Sequence, residues 1–163
     1  MRSRFGMLLF LTLLVSVGAW AQNDPLVGTW KMNLAKSKFS PGPAPKSPPT
    51  TKIMAVTGGI RIVTDGVNAE GQAAHTDATA KFDGKEYPRK AMAGGKPDTT
   101  TYDSIAIGKS DAYNYDVTEK MKGQMFGVAH WTISPDGKTR TITGAGKNAQ
   151  GQTTNNVTVW DKQ

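Results

Sequence analysis

The sequence predicts an all-β fold of antiparallel strands, arranged as a sandwich or a barrel. Short runs rich in threonine, valine and aromatic residues follow one another along the chain, and such residues suit a pleated, half-buried surface. Turn signals separate these runs at short, regular spacing, which is typical of sandwiches and barrels. Beyond the amino terminus no segment has a long helical periodicity, so we expect little helix.

Ten strands are expected from the alternation of apolar and polar residues. They lie at residues 26–34, 51–57, 60–67, 73–82, 86–92, 99–107, 112–120, 124–133, 139–143 and 153–160. Glycine accepts the positive φ of a hairpin turn, and pairs such as Asp83-Gly84 and Asp136-Gly137 mark the connections. Residues 68–72 and 148–152 nearly repeat (NAEGQ and NAQGQ), which we interpret as the same turn chemistry used twice.

Residues 40–49 (SPGPAPKSPP) contain five of the nine prolines in the chain. Proline fixes φ and lacks an N–H, so this segment suits neither a helix nor a central strand. A docking motif for a proline-recognising partner is one interpretation. A stiff, extended crossover between strands needs no partner and is the simpler one.

The first 21 residues have the layout of a cleavable secretory signal. Arg2 and Arg4 precede the apolar residues 7–17, and Ala19-Trp20-Ala21 has the small-x-small form that a signal peptidase recognises. The apolar run is shorter than the roughly 20 residues that a membrane-spanning helix needs. We therefore expect cleavage after Ala21, a mature domain at residues 22–163 without a membrane span, and a secreted or periplasmic location.

Charge and composition exclude several classes of protein. The mature chain keeps 18 basic and 13 acidic residues once Arg2 and Arg4 are removed, and its lysines are scattered. No run of like charges marks a nucleic-acid-binding tail, so we expect no nucleic-acid partner. The sequence has no cysteine, which excludes disulfides, thiolate catalysis and cysteine metal sites.

Gly28-Thr29-Trp30, at the start of the first strand, resembles the Gly-x-Trp motif that opens lipocalins and fatty-acid-binding proteins. Residues 24–39 as a whole resemble the start of lipocalin-like proteins exported by soil bacteria. The resemblance continues through the proline-rich segment, residues 83–88 and residues 157–162. It implies a lipocalin-like, antiparallel up-and-down β-barrel of about 8–10 strands across residues 22–163.

Two departures separate the chain from fatty-acid-binding proteins. Those proteins insert a pair of helices after the first strand, where this chain has prolines. Their closing Arg-x-Tyr, which grips a carboxylate, is absent, since this chain ends Val159-Trp160-Asp161-Lys162. A fatty-acid function is therefore not carried over.

The resemblance also implies structural roles for Gly28, Trp30 and Arg140. Closing a small barrel leaves an end that a large side chain can seal, and Trp30 suits that role, while Gly28 lets the backbone pass closely. In lipocalins this tryptophan commonly packs against a basic residue of a late strand, for which Arg140 is the best-placed candidate. The alternative is that Trp30 is ordinary core and Arg140 an exposed strand residue.

The candidate ligand-binding residues are aromatic side chains and one histidine: Tyr102, Tyr113, Tyr115, His130, Trp131 and Trp160. These residue types suit the wall of an apolar cavity, and they suit a filled core equally. Strand alternation predicts that Tyr113 and Tyr115 share one face, as do Trp131 and Ile133.

Catalysis has little support in the sequence. His75 and His130 are the only histidines, and neither belongs to a metal-binding spacing. No Gly-x-Ser-x-Gly nucleophile motif or phosphate-binding loop occurs. We therefore expect no catalytic residues, no metal and no cofactor.

Two functions remain open for an exported barrel of this kind. The first is binding of a small apolar molecule in the cell envelope. The second is a structural or protein-interaction β module with a solid core and no ligand. An interior cavity of about 300 Å³ or more would favour the first.

Overall fold

The computed structural model describes residues 24–148 and 150–163, so the predicted signal and its cleavage site lie outside the described part. The described residues contain eleven strands and no helix. The strands are β1 (Gly28–Lys38), β2 (Ser47–Val56), β3 (Gly59–Val67), β4 (Ala73–Lys81), β5 (Asp83–Ala93), β6 (Lys96–Pro97), β7 (Ser104–Lys109), β8 (Asn114–Met121), β9 (Gln124–Ile133), β10 (Thr139–Lys147) and β11 (Thr153–Lys162).

Ten of these strands close into an up-and-down antiparallel barrel. Consecutive strands of the barrel pair with each other, and β5 pairs with β7 across the intervening β6. β11 pairs with β1 and thereby closes the sheet. The two-residue strand β6 pairs only with the end of β5. The predicted fold class is confirmed, and the closed barrel is consistent with a lipocalin-like fold. Closure leaves no long sheet edge unpaired, which suits a domain without disulfides.

The period of two in the sequence decides which side chains fill the barrel. In β9, Trp131 and Ile133 are buried, whereas His130 and Thr132, which alternate with them, are exposed. Tyr115 and Val117 in β8 follow the same rule. In these two strands, alternate residues thus divide into an inner set and an outer set.

One end of the barrel is packed solid. Leu26, Trp30, Ile60 and Ile107 are fully inaccessible there, and Ile133 is nearly so. The opposite end carries the longer connections, at residues 39–46, 68–72, 94–103 and 148–152. We call these the closed end and the open end.

The proline-rich segment differs from the expectation at its last residues. β2 begins at Ser47, so Pro48 and Pro49 belong to a strand rather than to the crossover. β2 pairs with β1 only from Thr50 onward, and its register with β3 shifts between Ser47 and Thr50. The two prolines thus occupy an irregular stretch of the ladder, where a missing N–H is tolerated.

Two other predicted strand starts were wrong for a shared reason. Residues 99–103 form a loop, because Asp98 Oδ1 accepts hydrogen bonds from the Thr100 backbone N–H (2.9 Å) and hydroxyl (2.7 Å). Asp111 Oδ1 likewise accepts from the backbone N–H of Tyr113 at 2.7 Å, and β8 starts only at Asn114. A short aspartate side chain that bonds nearby backbone groups competes with the strand ladder.

The repeated pentapeptides form the same turn twice, both times at the open end. The backbone N–H of Asn68 donates to the Gln72 carbonyl at 2.9 Å, and that of Asn148 donates to the Gln152 carbonyl at 3.0 Å. The glycine of each turn has a positive φ, of 86° and 76°. The geometry agrees with a shared turn chemistry.

Candidate functional site: the barrel interior

Trp30 seals the closed end. Its side chain is fully buried, and its indole Nε1–H donates to the Leu26 carbonyl at 2.9 Å. Two cations lie near its ring: Arg140 Cζ is 5.4 Å and Lys162 Nζ is 5.0 Å from the ring centroid. The structure thus brings Trp30 and Arg140 together, with Lys162 as a second cation that the sequence analysis did not single out.

Gly28 makes room for Lys162. Its φ is +146°, and a Cβ built on it would lie 2.5 Å from Lys162 Cε. The ammonium of Lys162 donates to the Pro25 carbonyl at 3.1 Å, which holds the side chain in place. The close approach at Gly28 is therefore made by the Lys162 side chain, not by backbone as expected.

A buried polar cluster ties the amino-terminal residues to the closed end. Asp24 Oδ1 accepts the hydroxyl of Tyr115 at 2.5 Å, and Asp24 Oδ2 lies 2.5 Å from Lys109 Nζ. Burial, followed by the bond to Asp24, raises the pKa of Tyr115. The Phe82 ring packs against Tyr115, with centroids 5.6 Å apart. Tyr115 is therefore part of the closed-end packing and does not line the cavity described next.

Above the plug lies an inner cavity of about 280 Å³. Its wall combines apolar side chains with threonine hydroxyls and two guanidinium groups. Representative residues are Met32, Ile62, Thr64, Arg89, Tyr102, Trp131, Arg140, Ile142 and Trp160. A mainly apolar wall with a few polar groups is the usual composition of a small-molecule site.

Arg140 is the most unusual residue of this wall. It is only 2% exposed, and its Cζ lies 4.7 Å from the Trp160 ring centroid and 5.6 Å from that of Trp131. Its Nε is buried without a hydrogen-bond partner in the described part of the chain. Burial lowers the pKa of the guanidinium to about 9, so the group remains a cation at neutral pH.

On the open-end side, Tyr102 is held by three neighbours. Arg89 Cζ lies 3.9 Å from its ring centroid, and Arg89 Nη1 donates to its backbone carbonyl at 2.8 Å. The Phe126 ring lies 6.0 Å away, and Glu119 is the neighbouring carboxylate. Burial raises the pKa of both Tyr102 and Glu119, although the nearby Tyr102 hydroxyl and Arg89 partly offset the effect on Glu119.

An outer volume of about 400 Å³ lies toward the open end. Glu119, Phe126 and Thr158 line it, together with Thr100 and Thr101 of the loop before β7. Ile142 borders both this volume and the inner cavity. The inner cavity and the outer volume thus meet at one shared wall residue.

The structure separates the six candidate ligand-binding residues into three groups. Trp131, Trp160 and Tyr102 line the inner cavity, and Tyr115 belongs to the closed end. Tyr113 and His130 lie on the outside, so Tyr113 and Tyr115 do not share a face. Tyr113 precedes β8 in the Asp111 turn, which breaks the alternation assumed for a longer strand.

A larger depression, of about 530 Å³, lies on the outer face across β8–β11. It is open to solvent, and its wall includes the exposed Val128 and the polar pair His130 and Asp116. His130 Nδ1 lies 2.8 Å from Asp116 Oδ1, so these polar groups already bond each other. We therefore place the candidate site inside the barrel.

The outer surface offers no arrangement for nucleophilic catalysis at His130. Ser110 Oγ donates to Asp116 Oδ2 at 2.7 Å, so the carboxylate lies between the serine and the histidine. A catalytic triad needs the imidazole next to the hydroxyl. Within residues 24–148 and 150–163, no group of three potential ligand side chains is placed to hold a metal.

Comparison with models of known protein families found no match, and a search among curated proteins also found none. In the described ranges no helix has the length and apolar character to cross a bilayer. A functional assignment therefore depends on the chemistry of the barrel interior.

Proposed function

We propose that the mature chain is an exported, lipocalin-like barrel that binds a small, mainly apolar molecule in its interior. The observation that carries the proposal is the inner cavity of about 280 Å³ above the Trp30 plug. This volume lies slightly below the roughly 300 Å³ at which small-molecule sites begin, so the proposal is restricted to a compact ligand. The outer volume provides the approach from the open end.

The solvent exposures of the three interior tryptophans support a division between one structural residue and two ligand contacts. Trp30 is fully buried and lies outside the cavity wall, whereas Trp131 and Trp160 line the wall and keep 7% and 6% of their surface exposed. An indole with an uncovered face is a suitable contact for an apolar ligand. Trp30 is the structural residue, and the other two are the ligand contacts.

A titration with the neutral dye N-phenyl-1-naphthylamine tests the proposal on residues 22–163. We expect saturable dye fluorescence and a change in tryptophan emission. Ala78→Leu adds volume to a cavity-lining residue of β4 and should weaken binding by about tenfold or more, since overpacking and ligand compete for the same space.

The matched control is Thr79→Leu, at the next residue of β4 on the opposite, exposed face. It adds an apolar side chain outside the barrel and should leave dye affinity within about twofold of the parent, a change under 0.5 kcal/mol. Equal weakening by the two variants, or no saturable binding to the parent, would support the solid-core module instead.

A further inference from the structure

We propose that the ligand is a compact organic acid whose carboxylate is bound by Arg140 in the inner cavity. The inference rests on the proposed function, because it assigns the ligand class for the same cavity. It differs from the closing Arg-x-Tyr pattern of fatty-acid-binding proteins, which this chain lacks.

The first argument is the uncompensated charge. Arg140 forms no ion pair with any carboxylate of the described residues, although it is almost inaccessible. A buried charge is costly unless it is paired and hydrogen-bonded. A negatively charged group in the cavity would supply the missing partner.

The neighbouring cations, unlike Arg140, each have a hydrogen-bond or ion-pair partner among the described residues. Lys109 pairs with Asp24, Lys162 donates to the Pro25 carbonyl, and Arg89 donates to the Tyr102 carbonyl. Glu119, the carboxylate that lines the outer volume, lies near Tyr102 and Arg89. None of these contacts reaches Arg140 within the described residues.

The second argument is the geometry of the donors. Three indole rings lie within 5.6 Å of Arg140 Cζ and provide cation–π attraction. Cation–π contacts do not satisfy the N–H groups, which need acceptor oxygens in the guanidinium plane. The buried Nε has no partner in the described residues, so the guanidinium is not fully hydrogen-bonded within the protein. A planar carboxylate in the cavity matches the guanidinium fork in two parallel hydrogen bonds.

The cavity also restricts the size and shape of the apolar part of the acid. Trp131 and Trp160 lie in the same wall as Arg140, so a flat apolar body can contact the indoles while its carboxylate reaches the guanidinium. A volume of about 280 Å³ favours a short or ring-shaped acid over a long acyl chain. The pKa of Arg140, although lowered by burial, stays above neutral pH, so the cation is available.

The test compares naphthalene-2-carboxylate with its neutral amide, naphthalene-2-carboxamide, by isothermal titration calorimetry at pH 7. The two probes share one apolar body and differ in charge. We expect the acid to bind about tenfold or more tightly than the amide, as a charge-assisted hydrogen-bonded pair provides. In Arg140→Gln this preference should fall below about threefold, and Arg61→Gln, which removes an outward arginine paired with Asp77, should retain it.

A second measurement uses the unaltered protein, in case Arg140→Gln fails to fold. The mature chain has three arginines, at positions 61, 89 and 140, and therefore three side-chain Nε–H signals in a ¹⁵N correlation spectrum. Spectra of Arg61→Gln and Arg89→Gln identify the remaining signal as that of Arg140. The acid should shift this signal, and the amide should not.

The outcomes separate the two proposals. If neither probe binds inside the barrel, the proposed function fails. If acid and amide bind equally, or if the acid binds without shifting the Arg140 signal, the acid-binding inference fails while the binding barrel stands.

Discussion

Trp30, Trp131 and Trp160 surround one guanidinium, yet they have different roles because their other neighbours differ. Trp30 is covered by Leu26 and Lys162 at the closed end, and its N–H is bonded to the backbone. Trp160 Nε1 donates to Thr158 Oγ1 at 2.9 Å, and one side of its ring remains at the cavity. The same side-chain type thus serves as a seal in one place and as a wall in another.

Replacing Trp30 should destabilise the protein strongly. Trp30→Ala removes a fully buried indole and leaves a void at the closed end, and such changes cost about 3–5 kcal/mol. Urea unfolding measures the loss. Trp131→Ala and Trp160→Ala should weaken binding of N-phenyl-1-naphthylamine more than they weaken folding. If the free energy of unfolding of Trp30→Ala lies within about 0.5 kcal/mol of the parent, the sealing role of Trp30 is contradicted, because that is the range of an ordinary surface change.

At the scale of elements, short aspartate side chains organise several turns. Asp83 Oδ1 and Asp136 Oδ1 each accept the backbone N–H two residues on, at 3.0 Å, next to glycines with a φ of 69°. Asp111 holds the turn before β8 in a similar way. These turns place the strands in register, and through register they decide which face of each strand is inside.

The turn aspartates should make stability depend on acid pH. Backbone hydrogen bonds hold the pKa of Asp83 and Asp111 below its usual value of 3.8, and the Ser134 hydroxyl does so most strongly for Asp136. A carboxyl whose pKa is lower in the folded state contributes stability above its unfolded pKa, and that contribution is lost as pH falls through the folded pKa. We therefore expect the urea midpoint to fall as the pH is lowered below about 4.

The triple variant Asp83→Asn, Asp111→Asn, Asp136→Asn provides the control. Asparagine retains the acceptor oxygen but does not titrate, so the acid limb of the curve should become flatter. An acid limb as steep as that of the parent would assign the pH dependence to other carboxylates.

At the scale of the whole molecule, closure of the sheet and docking of the amino-terminal residues act together. Asp24 reaches Tyr115 and Lys109, which lie 91 and 85 residues away in sequence. Asp24, the first residue that the structure describes, is thereby fixed to the closed end. The expected mature chain, residues 22–163, is long enough to bury a core of this kind without disulfides.

Export predicts a defined amino terminus. The secreted form should begin at Gln22, because Ala19 and Ala21 are the small residues that precede the cut. Amino-terminal sequencing of protein from the periplasm or medium checks this. Ala21→Arg should block processing, whereas Gln22→Asn should not. Recovery of the parent with Met1 retained in a membrane fraction would contradict both the cut site and the proposed location.

The sequence by itself determined the strands and their antiparallel class to a large extent. Period-two alternation and turn glycines act between residues close in the chain, so they identified an all-β antiparallel fold. The resemblance at Gly28-Thr29-Trp30 added the barrel and pointed to Trp30 and Arg140 as a pair. Local bonds of Asp98 and Asp111 shortened two strands, because an aspartate that bonds nearby backbone groups overrides a strand-like pattern.

Only the tertiary structure decided which residues meet and which face solvent. His130 and Trp131 are neighbours with opposite surroundings, since closure directs one outward and the other inward. The isolation of Arg140 from carboxylates depends on where ten strands place their charges, and no local pattern encodes it. The cavity has the same origin: its wall comes from residues 32 to 160, and its volume is what their packing leaves unfilled.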